Sequence, residues 1–281
     1  MIATAEGTKE VLHKYPFIFQ KKFGQNFLID PHVLNKIIAA ADISRDDCIL
    51  EIGPGIGSVT EQLVEHAGKV ICVEIDNQLI PILNEQFGHY DNFELIHNDI
   101  LKLDLGDLFG GEEKVKVVAN LPYYITTPII MILLENKLPL ESITVMVQKE
   151  VALRMAAQPG TKQYGAITAV MNYYCETSLV ANVPQNCFMP RPKVDSAVIK
   201  LKLYEEPPIH VEDEKMLFKV IKAAFAQRRK TLLNSLCAHF EIDKEEVKNM
   251  LDEIGIEANI RGETLGLEEF AKISDVLSKR H

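Results

Sequence analysis

The chain has 281 residues, of which 47% are apolar and 25% are charged, a composition that suits a folded protein with one large core and room for a second, smaller one. Its formal net charge of -10 argues against indiscriminate binding to polyanions, although lysines and arginines cluster at a few places. Five scattered cysteines and the lack of an apolar run of about 18 residues predict a reducing cytosolic environment, no metal site and no membrane span.

The N-terminal stretch, residues 1–20, does not combine a basic start with an apolar segment and so lacks the pattern of a secretion signal. We expect these residues to form a flexible tail. Together with the cysteine pattern, this stretch predicts a cytoplasmic protein without a membrane partner.

Between residues 30 and 204, short β-rich runs alternate with longer amphipathic stretches such as SVTEQLVEHA and NQLIPILNEQF. The predicted strands are CILEI (48–52), KVICVEI (69–75), FELIH (93–97), KVKVVA (114–119) and SITVMVQ (142–148). Strands separated by helix-length segments indicate crossover connections and a parallel sheet covered on both faces. Two later runs, near 173–180 and 197–204, have no clear helix between them. We therefore predict an α/β sheet with an antiparallel edge.

The composition changes at YEEPPIHVEDE (204–214), where two prolines and a run of charges are typical of a linker. Beyond it, apolar residues recur at helical spacing and no strand pattern is visible. The predicted organisation is a flexible tail (1–20), a sheet domain (21–204), a linker (205–213) and a small all-α domain (214–281).

A glycine-rich turn follows the first predicted strand in LEIGPGIGSVTEQL (50–63). Gly53, Gly55 and Gly57 come between the end of that strand and a helix that we expect to begin near Ser58. Such a turn lets a ligand approach backbone that a Cβ atom would block. On its own the pattern also fits a tight turn without a ligand.

Acidic residues at two further strand ends favour a ligand. Glu74 ends the second strand, 21 residues after Gly53, where an acid can accept hydrogen bonds from a ribose, and Asp99 follows the third strand. The Gly-x-Gly-x-Gly spacing differs from that of the dinucleotide fingerprint, and Glu51 would repel a pyrophosphate. S-adenosylmethionine, which carries a ribose, an adenine, an ammonium and a sulfonium, fits these acids better than a nicotinamide cofactor does.

The stretch NLPYYITTPII (120–130) follows a buried-looking strand. Asn120 offers a side-chain carbonyl, and Leu121 offers a backbone carbonyl whose conformation Pro122 restricts. Two fixed acceptors can hold the protons of an adenine N6 amine and free its lone pair, while Tyr123 offers a face on which a flipped base can stack. The alternative is a strand-ending turn with packed tyrosines.

Together, the motifs KKFGQNFLID, LEIGPGIGSVTEQL, VEID, NDIL, NLPYYITTPII, FMPRPKVDSAV, FAQRRKTLLNSL and RGETLGLEEF resemble the ribosomal RNA adenine N6,N6-dimethyltransferase family. The resemblance spans residues 21–270 and is closest to the bacterial branch acting on two adjacent adenosines in the 3′-terminal hairpin of small-subunit rRNA. It implies a Rossmann-like methyltransferase sheet, S-adenosylmethionine as cofactor and no metal. It also implies the small ribosomal subunit or its precursor, with 16S-type rRNA, as partner, and we expect a monomer with a role in subunit biogenesis.

The resemblance assigns roles to matching positions. The cofactor would be bound by Gln25, Asn26, Leu28, Glu51, Gly53, Gly55, Glu74, Ile75, Asp99, Ile100 and Asn120. The target adenine would be bound by Asn120, Leu121, Pro122 and Tyr123, with Phe188 stacking on its other side. RNA would be bound by Lys21, Lys22, Arg191, Lys193, Arg228, Arg229 and Lys230, the last three on a predicted helix that could equally be a solvated face.

Two other functions remain open at this point. One is a related methyltransferase that acts on large-subunit rRNA and confers antibiotic resistance, against which RGETLGLEEF argues. The other is a non-catalytic RNA-binding or assembly factor on the same fold, against which Glu74, Asp99 and Asn120 argue.

Overall fold

The computed structural model describes residues 1–20, 23–109, 111–112, 114–227 and 229–280. They divide into two compact units, one comprising Met1–Ala152 and Ser178–Leu203, the other Leu153–Thr177 and Tyr204–His281. None of the described helices is both long enough and apolar enough to cross a membrane.

The strands are β1 (Phe27–Leu28), β2 (Cys48–Ile52), β3 (Lys69–Glu74), β4 (Phe93–His97), β5 (Val115–Asn120), β6 (Leu140–Gln148), β7 (Cys175–Val183), β8 (Phe188–Met189) and β9 (Ser196–Leu203). The helices before the last strand are α1 (Ala5–Lys14), α2 (Pro31–Ala41), α3 (Thr60–His66), α4 (Ile80–Phe87), α5 (Leu105–Leu108), α6 (Thr126–Glu135), α7 (Lys149–Met155) and α8 (Ala166–Tyr174). The helices after it are α9 (Glu214–Phe225), α10 (Leu232–Phe240), α11 (Lys244–Glu253) and α12 (Leu267–Ser278).

The main sheet has seven strands in the order β4-β3-β2-β5-β6-β9-β7. Strands β2 to β6 pair in parallel, and β9 pairs antiparallel to β6. All residues of β2 are buried, as are the first five of β5, which is expected where both faces of a parallel sheet are covered. The predicted α/β sheet with an antiparallel edge is confirmed, and each predicted strand lies within about two residues of its observed bounds.

The parallel register brings the strand ends together at one edge of the sheet. Ile52 is opposite Val73, and Glu74 is opposite His97. The glycine-rich turn leaves β2 at this edge, and α3 begins at Thr60, two residues later than expected. Gly57 has a φ of 91°, and a Cβ atom there would lie 2.3 Å from the Phe87 ring. The turn therefore needs glycine both for its backbone conformation and for its packing on α4.

The N-terminal residues differ from the predicted flexible tail. Thr4 caps helix α1 by accepting a hydrogen bond from the Gly7 N–H, and Ile2 and Ala3 are buried in the core of the first unit. The Ile2 N–H donates to the Glu61 carboxylate at 2.9 Å. Burial of these apolar side chains and a capped helix order a stretch that shows no strong pattern in the sequence.

The helical unit begins earlier in the chain than the composition predicts. Residues 153–177 belong to it, since Tyr164, Ala169 and Tyr173 pack in one core with α9, α10, α11 and α12. The Tyr164 hydroxyl donates to the Leu265 carbonyl at 3.0 Å. The prediction of a single boundary near residue 204 was therefore incomplete, because helix α8 buries its apolar face among helices that come much later in the chain.

The helix predicted to include Arg229 and Lys230 is interrupted, while Arg228 lies outside the described residues. Helix α9 ends at Phe225, and α10 begins at Leu232 after Thr231, whose hydroxyl accepts a hydrogen bond from the Asn234 N–H. The Leu232 N–H donates instead to the Ile260 carbonyl at 2.7 Å. The N-cap and this distant carbonyl end the helical ladder, so a turn replaces the predicted helix.

Candidate active site

One cavity opens at the carboxyl ends of β2, β3 and β5. All of the predicted cofactor residues line it: Gln25, Asn26, Leu28, Glu51, Gly53, Gly55, Glu74, Ile75, Asp99, Ile100 and Asn120. Leu121, Pro122 and Tyr123 line it as well. The sheet register and the return of residues 23–28 to this edge bring these separate motifs to one place, at the position where open α/β sheets bind ligands.

Glu74 is held by backbone donors at the end of β3. One carboxylate oxygen accepts hydrogen bonds from the N–H groups of Ile75 and Asp76, both at 2.8 Å, and the other accepts from the Gly55 N–H at 3.2 Å. Burial nevertheless raises the pKa of Glu74 to about 7, because the side chain is only 5% exposed and these hydrogen bonds only partly offset desolvation.

Glu51 is buried still more deeply, at 1% exposure. One of its oxygens accepts from the Thr60 hydroxyl at 2.6 Å and from the Cys72 thiol at 3.3 Å. Burial raises the pKa of Glu51 to about 7 as well. No described lysine, arginine or histidine forms an ion pair with Glu51 or Glu74, so no cation of the described residues neutralises the charge of these two acidic groups in the cavity.

These residues fit S-adenosylmethionine. A ligand with an ammonium and a sulfonium can neutralise the two acids, and its ribose hydroxyls can donate to a carboxylate. Gly53 adopts a φ of 67°, and a Cβ atom there would point toward Pro122 at 4.0 Å. The bare backbone at this turn therefore keeps room at the cavity beside the acids. The described residues contain no group of three or more His, Cys, Asp and Glu side chains that could hold a metal ion.

Asp99 and Tyr124 lie on another side of the cavity. One Asp99 oxygen accepts from the Leu101 N–H at 3.1 Å and so caps the short helical turn that follows β4. Tyr124 is 55% exposed, and burial of the remainder, followed by the charges of Asp99 and Glu74, raises its pKa. The sequence reasoning assigned Tyr124 no role, although it is the second tyrosine of the LPYY stretch.

The predicted target-base turn presents two free acceptors. The Asn120 amide nitrogen donates to the Asn26 carbonyl at 2.9 Å, which leaves the amide oxygen without a donor among the residues that the structure describes. The Leu121 N–H donates to the Met146 carbonyl at 3.1 Å, while no described group donates to the Leu121 carbonyl. The Thr126 hydroxyl donates to the Pro122 carbonyl at 3.1 Å and helps to fix the turn.

The two predicted aromatic partners of the base are placed differently. Tyr123 lines the cavity, and its hydroxyl lies 2.6 Å from the Ser196 hydroxyl. Phe188 does not line the cavity: it pairs with Leu28 in the β1–β8 ladder and is 3% exposed within the core. Phe188 therefore lies behind Leu28, which lines the cavity, and is not itself among the lining residues. The sequence gives no signal for this burial.

The predicted RNA-binding residues are found in two places. Arg191 and Lys193 are exposed in the loop between β8 and β9 of the first unit. Arg229 and Lys230 are exposed in the turn between α9 and α10 of the second unit. Lys21, Lys22 and Arg228 lie outside the described residues.

Comparisons of the sequence with known proteins identify the family. The family model of the ribosomal RNA adenine dimethylases matches residues 17–279. The ribosomal RNA small subunit methyltransferase A of Lachnoclostridium phytofermentans is 55% identical over 279 residues, which cover 97% of this chain and 96% of that protein.

Two solved structures are similar over most of the chain. A dimethyladenosine transferase from Plasmodium falciparum has a TM-score of 0.78 and 27% identity, covering 90% of this chain and 98% of that one. The 23S rRNA methyltransferase ErmE has a TM-score of 0.70 and 26% identity, covering 90% and 100%. With the family model matching nearly its whole length, the chain belongs to the ribosomal RNA adenine dimethylase family and is an rRNA adenine dimethyltransferase that uses S-adenosylmethionine.

Proposed function

We propose that this protein methylates the N6 amines of two adjacent adenosines in the 3′-terminal hairpin of small-subunit rRNA and converts each to N6,N6-dimethyladenosine. The observation that carries the proposal is the pair of free acceptors at Asn120 and Leu121 beside a cavity with two uncompensated acids. The small-subunit assignment is supported by the relative at 55% identity, which is named a small subunit methyltransferase.

When bound, S-adenosylmethionine supplies an electrophilic methyl group. In this proposal Glu74 accepts hydrogen bonds from the ribose hydroxyls, Asp99 and Ile100 contact the adenine of the cofactor, and Glu51 faces its cationic methionine end. Ionised carboxylates are required for this binding, and a cation nearby lowers their pKa from the raised values of the cofactor-free protein. The acids therefore bind and orient the donor and take no part in proton transfer to the target.

The target amine is activated by Asn120 and Leu121. The amide oxygen of Asn120 and the carbonyl of Leu121 accept hydrogen bonds from the two N6 protons and hold the nitrogen with its lone pair directed toward the methyl group. The lone pair would form the new C–N bond as the sulfonium–methyl bond breaks, S-adenosylhomocysteine would be the leaving group, and the surplus proton of the methylated amine would pass to water. No general base with a shifted pKa is needed, because the methylated amine is strongly acidic before it loses that proton.

The expected setting is a cytoplasmic monomer bound to the small ribosomal subunit or its precursor. The exposed residues Arg191, Lys193, Arg229 and Lys230, with Lys21, Lys22 and Arg228, would contact rRNA phosphates. With a net charge of -10, recognition would depend on the shape of a prefolded particle more than on general attraction to RNA.

A second candidate is methylation of large-subunit rRNA, because the fold is also similar to that of a 23S rRNA methyltransferase. The two are separated by offering the purified protein labelled S-adenosylmethionine and either small or large subunits from cells that lack the gene. We expect dimethyladenosine in small subunits only, detected by nucleoside analysis, and none with Asn120→Ala. Label in large subunits would support the second candidate, and binding to small subunits without methyl transfer would support a non-catalytic assembly factor.

A further inference from the structure

The loop that follows β3 is tied to the residues before the cavity by hydrogen bonds to one buried acid. Asp76 is 1% exposed, and its Oδ2 atom accepts from the Gln25 side-chain amide at 2.6 Å. Its Oδ1 atom accepts from the Gln78 N–H at 3.1 Å and from the Gln20 side-chain amide at 3.4 Å. No described basic residue pairs with Asp76, so these amide donors stabilise the buried carboxylate.

Both ends of the Gln25 amide are used within the chain. The nitrogen donates to Asp76, and the oxygen accepts from the Gln20 N–H at 2.9 Å. This pairing fixes the orientation of the amide, because a carboxylate can only accept and a backbone N–H can only donate. The orientation of the Gln25 side chain is therefore fixed where the residue lines the cavity.

The hydrogen bond between Gln25 and Asp76 also affects the target-base turn at Asn120. Residues 24–28, here called the cavity segment, include Asn26, whose side-chain amide donates to the Gly24 carbonyl at 2.8 Å. The Asn26 carbonyl in turn accepts from the Asn120 amide at 2.9 Å. Because that hydrogen bond decides which end of the Asn120 amide faces the target amine, the position of the cavity segment sets the acceptor geometry.

The same loop also bears on the cofactor acids. The Asp76 N–H donates to the Glu74 carboxylate at 2.8 Å, and Ile75 lines the cavity between the two acids in sequence. The Gln78 side chain exchanges two further hydrogen bonds with the backbone of Ile18, at 3.3 and 3.4 Å. A movement of this loop would therefore displace both the Glu74 carboxylate and the cavity segment.

We propose that Asp76 is a positioning residue: through its hydrogen bond to Gln25 it holds the cavity segment in place, so that Asn26 orients the Asn120 amide toward the target amine. This inference rests on the proposed function of Asn120 and extends it to a residue that contacts neither substrate. The Asp76–Gln25 hydrogen bond connects the adenosine side of the cavity with the target-base side.

A simpler role for Asp76 must be distinguished from this one. Its Oδ1 atom and its carbonyl accept from Gln78 and Leu79, so Asp76 also stabilises the turn before α4. That local role requires one side-chain oxygen, whereas the link to Gln25 requires the other. Asp76→Asn keeps an oxygen for the turn and places an amide nitrogen opposite the Gln25 nitrogen, so it breaks the link alone.

A swap of the two groups tests the link. Gln25→Glu places a carboxylate opposite the Asp76 carboxylate and so also breaks the hydrogen bond between positions 25 and 76. In the double variant, the amide introduced at position 76 can donate to the carboxylate introduced at position 25. That carboxylate still accepts from the Gln20 N–H, and the new amide oxygen still accepts from Gln78. Every hydrogen bond of the network can therefore form again with donor and acceptor exchanged.

Two measurements are made on purified full-length variants after thermal unfolding has established that they are folded. Calorimetry gives S-adenosylmethionine affinity, and hydrogen exchange of the N–H groups of residues 24–28 in the cofactor-free protein reports on the cavity segment. We expect each single variant to lose about tenfold in affinity and in protection, and the double variant to return to within about threefold of the wild type. Gln158→Glu, the same charge change on an exposed side chain of the second unit, should alter neither.

Steady-state kinetics on small subunits adds a third test. If the link orients Asn120, kcat falls in the single variants beyond the loss in cofactor affinity and recovers in the double variant. Single variants that match the wild type in exchange and affinity would overturn the inference. So would a double variant as impaired as the singles, since Asp76 would then serve only the turn.

The outcomes for the two proposals remain distinguishable. A wild-type protein that binds the cofactor but methylates no rRNA would refute the proposed function, while the exchange measurement in the cofactor-free protein would still test the link. If a single variant does not fold, Gln25→Ala removes the partner without adding a charge and should show the same loss of protection.

Discussion

At the amino end of strand β5, Lys116 donates to the Asp47 carboxylate at 2.9 Å and to the Asp42 carbonyl at 2.6 Å, with its side chain only 9% exposed. At the carboxyl ends of the neighbouring strands, Glu51 and Glu74 are buried without a cationic partner in the described chain. The same sheet therefore neutralises buried charge at one edge and leaves it uncompensated at the other.

The difference shows what each edge does. A buried charge without a partner destabilises the folded state, and the raised pKa values of Glu51 and Glu74 are the sign of that cost. The pKa of Asp47 is lowered instead: burial raises it, but the hydrogen bonds from Lys116 and Ser44 and the charge of Lys116 together outweigh burial. Charges at the first edge contribute to stability, whereas charges at the second give up stability and, in the proposed function, bind a cationic ligand.

The largest expected effect breaks the stabilising edge. Lys116→Met removes the cation and leaves Asp47 partly buried beside an apolar side chain, so we expect the free energy of unfolding to fall by about 3 kcal/mol. Urea unfolding at pH 7 measures this change. Lys102→Met, at an exposed ion pair with Asp99, is the control and should lose less than about 1 kcal/mol. Equal losses in the two variants would contradict the comparison.

The next effect concerns the other end of β5. Asn120→Ala removes one of the two acceptors proposed for the target amine, and we expect the single-turnover methylation rate to fall by at least about a hundredfold. Cofactor affinity should change much less, since the acids remain in place. Asn98→Ala, at a residue that also lines the cavity but follows β4, should retain most of the rate. A near-normal rate in Asn120→Ala would show that residues 120–123 form only a strand-ending turn.

A smaller effect is the pH dependence, which should have opposite signs for the free energy of unfolding and for S-adenosylmethionine affinity. Because burial raises the pKa of Glu51 to about 7, its protonated form stabilises the cofactor-free protein below pH 4.5, and that contribution is lost as the pH rises through 7. We expect Glu51→Gln to raise the free energy of unfolding by about 1 to 2 kcal/mol at pH 8 and to change it little at pH 5.

Cofactor binding should follow the reverse trend. Wild-type affinity for S-adenosylmethionine is expected to strengthen as the pH rises through 7 and the acids ionise, and Glu51→Gln should flatten that dependence. Urea unfolding and calorimetry across pH 5 to 8 give the two curves. A wild-type protein whose stability and affinity rise together would show that the acids are not uncompensated.

The smallest effect concerns the basic residues between α9 and α10 in the chain. Replacing Arg228, Arg229 and Lys230 with Ala should leave cofactor affinity unchanged and make the log-log salt dependence of subunit binding shallower by roughly 2 to 3 units. A triple Ala variant at the exposed lysines Lys215, Lys219 and Lys248 of the same unit is the control. Superimposable slopes for wild type and the first variant would place the RNA contacts elsewhere.

The local chemistry of the site could be predicted from the sequence. The strands follow from β-branched runs, and Gly53, Glu74, Asp99 and Asn120 lie at or just after the ends of those strands. Parallel strands that start in register also end together, so residues at successive strand ends meet without any knowledge of side-chain packing. The sequence by itself therefore determined the sheet, the cavity edge and the chemistry offered there.

Features that depend on distant parts of the chain were decided by the tertiary structure alone. Gln25 and Asp76 are 51 residues apart, and Tyr164 and Leu265 are 101 residues apart. The ordered N-terminal helix, the assignment of residues 153–177 to the helical unit and the burial of Phe188 likewise rest on such contacts. Periodicity and turn chemistry describe only near neighbours along the chain, whereas these features depend on which apolar faces and polar groups meet after folding.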